Sequence, residues 1–280
     1  MIDVAEEIAK KSQSSFYYAF KLLPTVKRDA MNTVYAFCRQ TDDIIDEGDE
    51  PEDLKYEKLR KWRIEFEKAL KGRSEFSLLN KLAYIIKQFN IPIEPFFELM
   101  KGVEMDLQRK RYLSFEDLIQ YCYMVASTVG LMCIEIFGYK NKSTRDYAIN
   151  LGLAMQMTNI IRDVKRDADN GRIYLPQEDF QQFEYSETDL IRNVYNPNFI
   201  AMMNHEADRA DMFFKKANHS LDYDDKSSMI AARAMQHIYY KLLRKLRTKS
   251  FNIFEEDISI SKLEKTTIAL GVWAKYSLVY

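Results

Sequence analysis

The sequence predicts an all-α protein, and three observations carry the prediction. Its 280 residues contain only 8 glycines and 6 prolines, less than half the usual share of these breakers, which is too few for a sandwich, a barrel or a disordered chain. Apolar residues recur at helical spacing nearly throughout, as at Ala30, Val34, Phe37 and Ile44, and this period outweighs the strand preference of 18 tyrosines and 17 phenylalanines. The breakers that are present fall together, so they mark stops rather than interrupting the apolar pattern.

In chain order, stops are expected at Leu23-Pro24, from Gly48 to Pro51, from Gly72 to Ser74 and from Asn90 to Pro95. Others are expected from Tyr139 to Lys142, from Asp169 to Pro176, at Asn196-Pro197 and from Asp222 to Asp225. They leave roughly eight helices. No Pro/Gly/Ser-rich linker, charge shift or repeat period divides the chain, so residues 1–280 are expected to form one domain. A chain of this length buries roughly 75% of its unfolded surface and needs no disulfide or structural metal to stand.

Charge narrows the function classes. With 41 basic against 42 acidic residues, no global field recruits nucleic acid or an anionic membrane. The three cysteines, Cys38, Cys122 and Cys133, are widely spaced and lack zinc-ligand spacing, which fits a reduced, cytoplasmic chain. The N-terminal residues carry early acids and no sustained apolar core, unlike a signal peptide, and no run reaches the ~18 consecutive apolar residues of a spanning helix. The apolar stretch from Ile268 to Tyr280, with Leu270, Val272 and Trp273, is expected to pack on the bundle and leaves peripheral membrane contact open.

Two helices end in rows of oxygen ligands. Tyr35, Arg39, Asp42 and Asp46 fall at i, i+4, i+7 and i+11, on one stripe running into the Gly48 stop. Gly152, Gln156, Asn159 and Asp163 repeat the spacing, with Asp167 one turn further on, before Asp169-Asn170-Gly171. Carboxylates at a helix C-terminus face the negative pole at a cost of roughly 0.3–1 kcal/mol each, and a cation relieves it. Both stripes run between apolar flanks such as Met155, Met157, Ile160 and Ile161, so they are expected to look inward. An all-oxygen donor set suits a hard ion, and magnesium normally shares its shell with substrate phosphate. A helical di-iron site would need Glu-x-x-His pairs, but three residues before His205, His219 and His237 stand Met202, Lys216 and Ala234. Glycine-rich phosphate loops are absent as well.

The order of these motifs resembles the squalene/phytoene synthase family of head-to-head prenyl transferases. The resemblance runs through Ser14-Ser15-Phe16, Tyr18-Ala19-Phe20, Leu22-Leu23-Pro24, the segment Tyr35 to Asp46, and Val103 to Leu107 with Asp106. It continues through Tyr121 to Gly130, Leu151 to Asp163, and Asn170 to Pro176. It implies an isoprenoid (terpenoid) synthase helical bundle with a central cavity, and magnesium-dependent condensation of two farnesyl or geranylgeranyl diphosphates. The resemblance assigns Asp42, Asp46, Asn159, Asp163 and Asp167 to two or three Mg2+ ions, with Asp43 beside them. Among these, Asp42, Asp46, Asp163 and Asp167, together with Tyr121, are the expected catalytic residues. Substrate contacts are expected from Ser12, Gln13, Ser14, Ser15, Phe20, Tyr35, Arg39, Gln156, Arg162 and Tyr239. Many relatives begin this region His-Ser-x-Ser-Phe, so of the Ser12-Gln13-Ser14-Ser15-Phe16 run only Ser15 and Phe16 transfer directly.

Chemistry of the residues agrees with that expectation. Ionising an allylic diphosphate requires neutralising the departing group, which metal ions between two acidic helix ends supply, with Arg39 and Arg162 as added donors. The resulting carbocation must be kept from water, and aromatic faces such as Phe16, Tyr18, Phe20, Tyr35 and Tyr123 can stabilise it by ~0.5–2 kcal/mol each. The expected reaction joins two farnesyl diphosphates through presqualene diphosphate to dehydrosqualene, without NADPH. Squalene synthase with NADPH and phytoene synthase on the C20 substrate are the alternatives. Head-to-tail elongases and cyclases fit the Tyr121–Gly130 and Arg172–Pro176 segments less well, and an inactive scaffold would be expected to lose ligands that are all present here.

Overall fold

The computed structural model describes residues 7, 15–46, 48 and 50–278, with backbone alone at 15 and 276–278. Among them the chain forms thirteen α-helices and no strand. In order they are α1 Ser15–Phe20, α2 Thr25–Asp46, α3 Glu52–Ala69, α4 Ser77–Phe89, α5 Glu94–Gln108, α6 Phe115–Cys122 and α7 Thr128–Phe137. Then follow α8 Ser143–Asp169, α9 Gln177–Gln182, α10 Glu187–Ile191, α11 Pro197–Ser220, α12 Ile230–Thr248 and α13 Lys262–Leu278. A π-helical turn, Tyr123–Ser127, joins α6 to α7. The all-α expectation holds, and every expected stop coincides with a helix boundary. The number of helices exceeds the roughly eight expected, because further breaks occur at 109–114, 183–186 and 249–261 and the π turn at 123–127 divides α6 from α7.

Local chemistry fixes several starts. Ser114 accepts the Asp117 amide at 3.2 Å to cap α6, and Asn196 accepts the Phe199 amide at 2.9 Å before Pro197 opens α11. The start of α8 is held from a distance: the buried carboxylate of Asp225 accepts the amides of Lys140 and Asn141 at 2.7 and 2.9 Å and the Thr144 hydroxyl at 2.7 Å. These bonds hold the Asp225 carboxyl below its usual range even though burial opposes them.

The long helices α2 and α8 form the frame. Helix α2 packs on α4, α5 and α7, while α8 packs on α11, α7, α12 and the π turn. Two glycines let the π turn sit between α5 and α8. A Cβ at Gly102 would stand 2.7 Å from the Met124 Cβ, and one at Gly152 2.6 Å from the Ser127 Cα, so neither position admits a side chain unless the helices part. The run Phe115–Phe137 is long and apolar enough to cross a membrane by composition, with mean hydropathy 1.4. It is a central element of the bundle instead: part of its surface packs into the core and part, including Val129, Gly130 and Cys133, lines an internal cavity. The three cysteines are free and buried.

Candidate active site

A cavity of about 360 Å³, within the size range of small-molecule sites, lies between α1, α2, the π turn with α7, α8 and α12. Helices α2 and α8 run along it in the same sense. On α2 the lining passes from Met31 to Arg39 and Asp42, and on α8 from Tyr147 to Gln156 and Asn159. These are spans of about 16–18 Å at 1.5 Å per residue. Both helices therefore place their C-terminal, negative ends at one polar mouth, where Tyr239 of α12 joins them. The remaining lining is mostly apolar and includes Met31, Phe137 and Tyr147. Phe16, Phe20 and Tyr35 form one aromatic corner with ring centroids 5.7–6.2 Å apart.

The expected site residues separate into groups. Phe20, Tyr35, Arg39, Asp42, Gln156, Asn159 and Tyr239 line the cavity. Asp46, Arg162, Asp163 and Asp167 are not in the lining and follow Asp42 and Asn159 toward the C-terminal ends of α2 and α8. Ser12, Gln13 and Ser14 lie outside the described residues, as does the side chain of Ser15. Tyr121 is buried below the rim, and its hydroxyl donates to Asp106 Oδ2 at 3.0 Å. Tyr18 and Tyr123 are not part of the lining.

The two acidic helix ends converge through arginines. Arg172, in the loop after α8, donates from Nη1 to Asp46 Oδ1 of α2 at 2.9 Å, and its charge also acts on Asp106 of α5 and Asp167 of α8. Arg162 grips Asp163 with two bonds of 2.8 and 2.6 Å, Arg166 adds a third contact at 2.6 Å, and Arg39 pairs with Asp43 at 2.7 Å. Several carboxyls are nonetheless poorly compensated. Burial, reinforced by the charge of Asp46, pushes the Asp42 carboxyl up to about 8. Burial and the Asp163 charge push Asp167 up to about 7. Asp106 is raised by burial to about 6 although Arg172 and two tyrosine hydroxyls oppose it.

The donor set suits hard divalent ions. It is all oxygen, it carries more negative charge than the local arginines neutralise at Asp42 and Asp167, and the buried Asn159 Oδ1 has no hydrogen-bond partner. Among the described residues no three carboxylate, histidine or cysteine side chains are grouped closely enough to hold one ion by themselves.

Sequence reasoning left Asp106, Tyr174 and Arg172 out of the site. Asp106 accepts from Tyr121 and, at 2.9 Å, from Tyr174, whose rings stack with centroids 5.2 Å apart. The available signal was a pair of acids, Glu104 and Asp106, between Val103 and Leu107. The basic residues after Asp106 are engaged outside the cavity: Lys110 pairs with Glu52 at 3.0 Å and Arg111 with Glu187 at 2.8 Å.

Similarity to known proteins agrees with this architecture. The family model described as Squalene/phytoene synthase matches residues 9–264. The 15-cis-phytoene synthase of Synechococcus elongatus is 33% identical over 262 residues, 89% of this chain and 85% of the relative. A dehydrosqualene synthase crystallised with a ligand superposes with TM-score 0.85 at 29% identity, covering 99% of this chain and 96% of that one. The squalene synthase HpnC from Alicyclobacillus acidocaldarius superposes with TM-score 0.78 at 25% identity, covering 89% and 95%. With a matching family model over most of its length, the isoprenoid synthase fold and a cavity between two acidic helix ends, the chain belongs to the squalene/phytoene synthase family of prenyl-transferring enzymes.

Proposed function

We propose that the protein condenses two farnesyl diphosphates head to head, through presqualene diphosphate, to dehydrosqualene. The observation that carries the reading is the polar mouth itself, where Asp42 and Asn159 cap one end of a cavity whose other walls are apolar. Mg2+ held by Asp42, Asp46, Asn159, Asp163 and Asp167 would supply the charge neutralisation that lets diphosphate depart. Arg39 and Arg162 stand ready as further donors to its oxygens. Gln156 and Tyr239 orient the same end, while the aromatic corner of Phe16, Phe20 and Tyr35 shields the allylic cation and presents π faces to it. Tyr121, buried with its hydroxyl on Asp106, would act through that carboxylate, which Tyr174 holds from its other oxygen. The final step is loss of a proton, and no NADPH is consumed.

The C15 substrate is favoured by Phe20, 3% exposed, which narrows the cavity beside Phe16, and by likeness to a dehydrosqualene synthase structure over 99% of the chain. Identity to phytoene synthases favours a second reading, condensation of two geranylgeranyl diphosphates. Incubation with either diphosphate and Mg2+, with and without NADPH, followed by extraction and ultraviolet spectroscopy, tests both. A conjugated-triene C30 hydrocarbon formed from farnesyl diphosphate without NADPH is the expected result. A C40 triene from the longer substrate alone replaces the first reading with the second, and a squalene-type product formed only with NADPH overturns both.

A further inference from the structure

Outside the cavity, α9 is fastened to α11 by a buried cluster that holds more acid than base. Asp179 of α9 and Glu206 of α11 are both 0% exposed. Both accept from one nitrogen, since Arg209 Nη1 donates to Asp179 Oδ2 and, at 2.8 Å, to Glu206 Oε1. The two carboxyls also lie within hydrogen-bonding reach of each other, yet Asp179 Oδ1 and Glu206 Oε2 are buried without a donor. His205 does not supply one: its Nε2 stands 3.7 Å from Asp179 Oδ1, beyond hydrogen-bond length, and its ring packs on Phe183 with centroids 5.3 Å apart. From α6, the buried Cys122 thiol feels the Glu206 charge, and the Phe115 ring lies 4.0 Å from the Arg209 guanidinium.

Two carboxylates against one guanidinium leave one buried charge unmet, which is a costly state. A proton held between them removes the excess charge and supplies the missing donor, as in other carboxyl pairs too close to ionise together. Burial and the hydrogen bond with Asp179 accordingly hold the Glu206 carboxyl well above its usual range. The cluster sits behind the loop that carries Arg172 and Tyr174. Helix α9 starts directly after Pro176, its Gln177 and Glu178 amides donate to the Tyr112 and Leu113 carbonyls at 2.9 and 3.2 Å, and Glu178 receives the Phe115 amide at 2.7 Å. Tyr112 lies in turn against Tyr121 and Tyr174, with ring centroids 5.4 and 5.9 Å away. We propose that Asp179 and Glu206 share one proton over Arg209 and thereby act as positioning residues for the Arg172–Pro176 loop. The positioning role rests on the reading of that loop as part of the prenyl diphosphate site, whereas the shared proton stands apart from it.

Infrared difference spectra and calorimetric melting of the full chain test the proton without substrate. Glu206→Gln and Asp179→Asn each leave one carboxylate facing Arg209, so either should remove a protonated-carboxyl stretch that the unsubstituted chain shows at pH 7.5. Either should also melt several degrees higher than the unsubstituted chain at pH 8, with the gap closing towards pH 4, because the unfolded chain releases that proton first. The double variant strands Arg209 and should melt below both. His205→Gln should change neither reading; should it remove the gap, an imidazolium meets the second charge and the shared proton is overturned. It is equally overturned if both single variants leave the infrared band in place and melt lower at pH 8. Turnover of farnesyl diphosphate with Mg2+ tests the positioning role: its decline on the alkaline side, as Glu206 ionises, should move to higher pH in Glu206→Gln. An alkaline limb identical in the two proteins overturns that role and leaves the shared proton to the substrate-free readings. If the unsubstituted chain turns over no prenyl diphosphate at all, the site reading fails and takes the positioning role with it.

Discussion

Arg172 donates to Asp46 at 2.9 Å, tying the loop after α8 to the C-terminal end of α2. The bond joins the two acidic helix ends through one guanidinium, which also lies near Asp106 and Asp167. The loop is held at its back by a bridge between Arg111 and Ile173, where the Ile173 amide donates to the Lys110 carbonyl at 3.1 Å. Arg172→Gln should therefore lower the rate of product formation at saturating substrate by about tenfold to a hundredfold, the worth of one hydrogen bond to a charged group. The melting temperature should change little, because Asp46 is largely exposed. Lysine at this position restores the charge without the fork, so only part of the rate should return.

The raised carboxyl of Asp42 makes stability depend on pH in a definite sense. Unfolded, this group loses its proton near 3.8, and folded it keeps the proton up to about 8. Below the unfolded value both states are neutral and burial of the carboxyl carries no charge cost. As pH rises from about 4 to 8 the unfolded state ionises first, so the folded state loses stability relative to it across that window. Metal-free Asp42→Asn should then melt several degrees higher than the unsubstituted chain at pH 8.5, at ~2–4 °C per kcal/mol for a chain this large. The gap should close towards pH 4. Added Mg2+ should raise the melting temperature of the unsubstituted chain more at pH 8.5 than at pH 6, since protons compete for the same oxygens. Scanning calorimetry at the two pH values checks both statements.

Much of this site was legible because helical spacing is a local property. The stripe from Tyr35 to Asp42 follows from a single period, and the structure turns those three polar residues to one cavity. What was not legible depends on contacts between distant segments. Helix α5 ends at Gln108, and the chain that follows is engaged by Ile173 and Gln177, whose amides take the Lys110 and Tyr112 carbonyls; nothing between 109 and 114 announces that. Other missed turns are built by residues other than glycine at positive φ, namely Glu184 at 50°, Ser250 at 49° and Phe251 at 58°. A search for Gly and Pro passes over them. Asp106 was missed for a related reason, since its meaning comes from Tyr121, Tyr174 and Arg172 on three other segments.

Gly152 is a packing requirement of the cavity wall. A methyl group there would meet the Ser127 Cα at 2.6 Å and the Ala126 carbonyl carbon at 2.9 Å, both backbone atoms that cannot rotate away. Gly152→Ala should force α8 from the π turn and destabilise the fold by about 1–3 kcal/mol, the usual cost of overpacking. Ala126 lines the cavity, so turnover should fall as well. Urea unfolding combined with product assays measures both. Gly271, where an added Cβ meets nothing within 4 Å, is the matched control, and alanine there should not destabilise α13.

Phe20 decides how much room the prenyl tail has near α1. Its ring packs against Phe16 and Tyr35 at 5.9 and 6.2 Å and forms part of the lining, so its removal opens space where an isoprene unit could lie. Phe20→Ala should shift the product ratio from C30 towards C40 hydrocarbon when both diphosphates compete in one reaction. Truncating a phenylalanine that is 3% exposed costs about 3–5 kcal/mol. For that reason Phe20→Leu, which leaves a smaller void, should show the same shift in weaker form with less loss of stability. A product ratio unchanged in both variants, each still melting cooperatively, removes Phe20 as the determinant of tail length and moves attention to other bulky lining residues such as Met31, Phe137 and Tyr147.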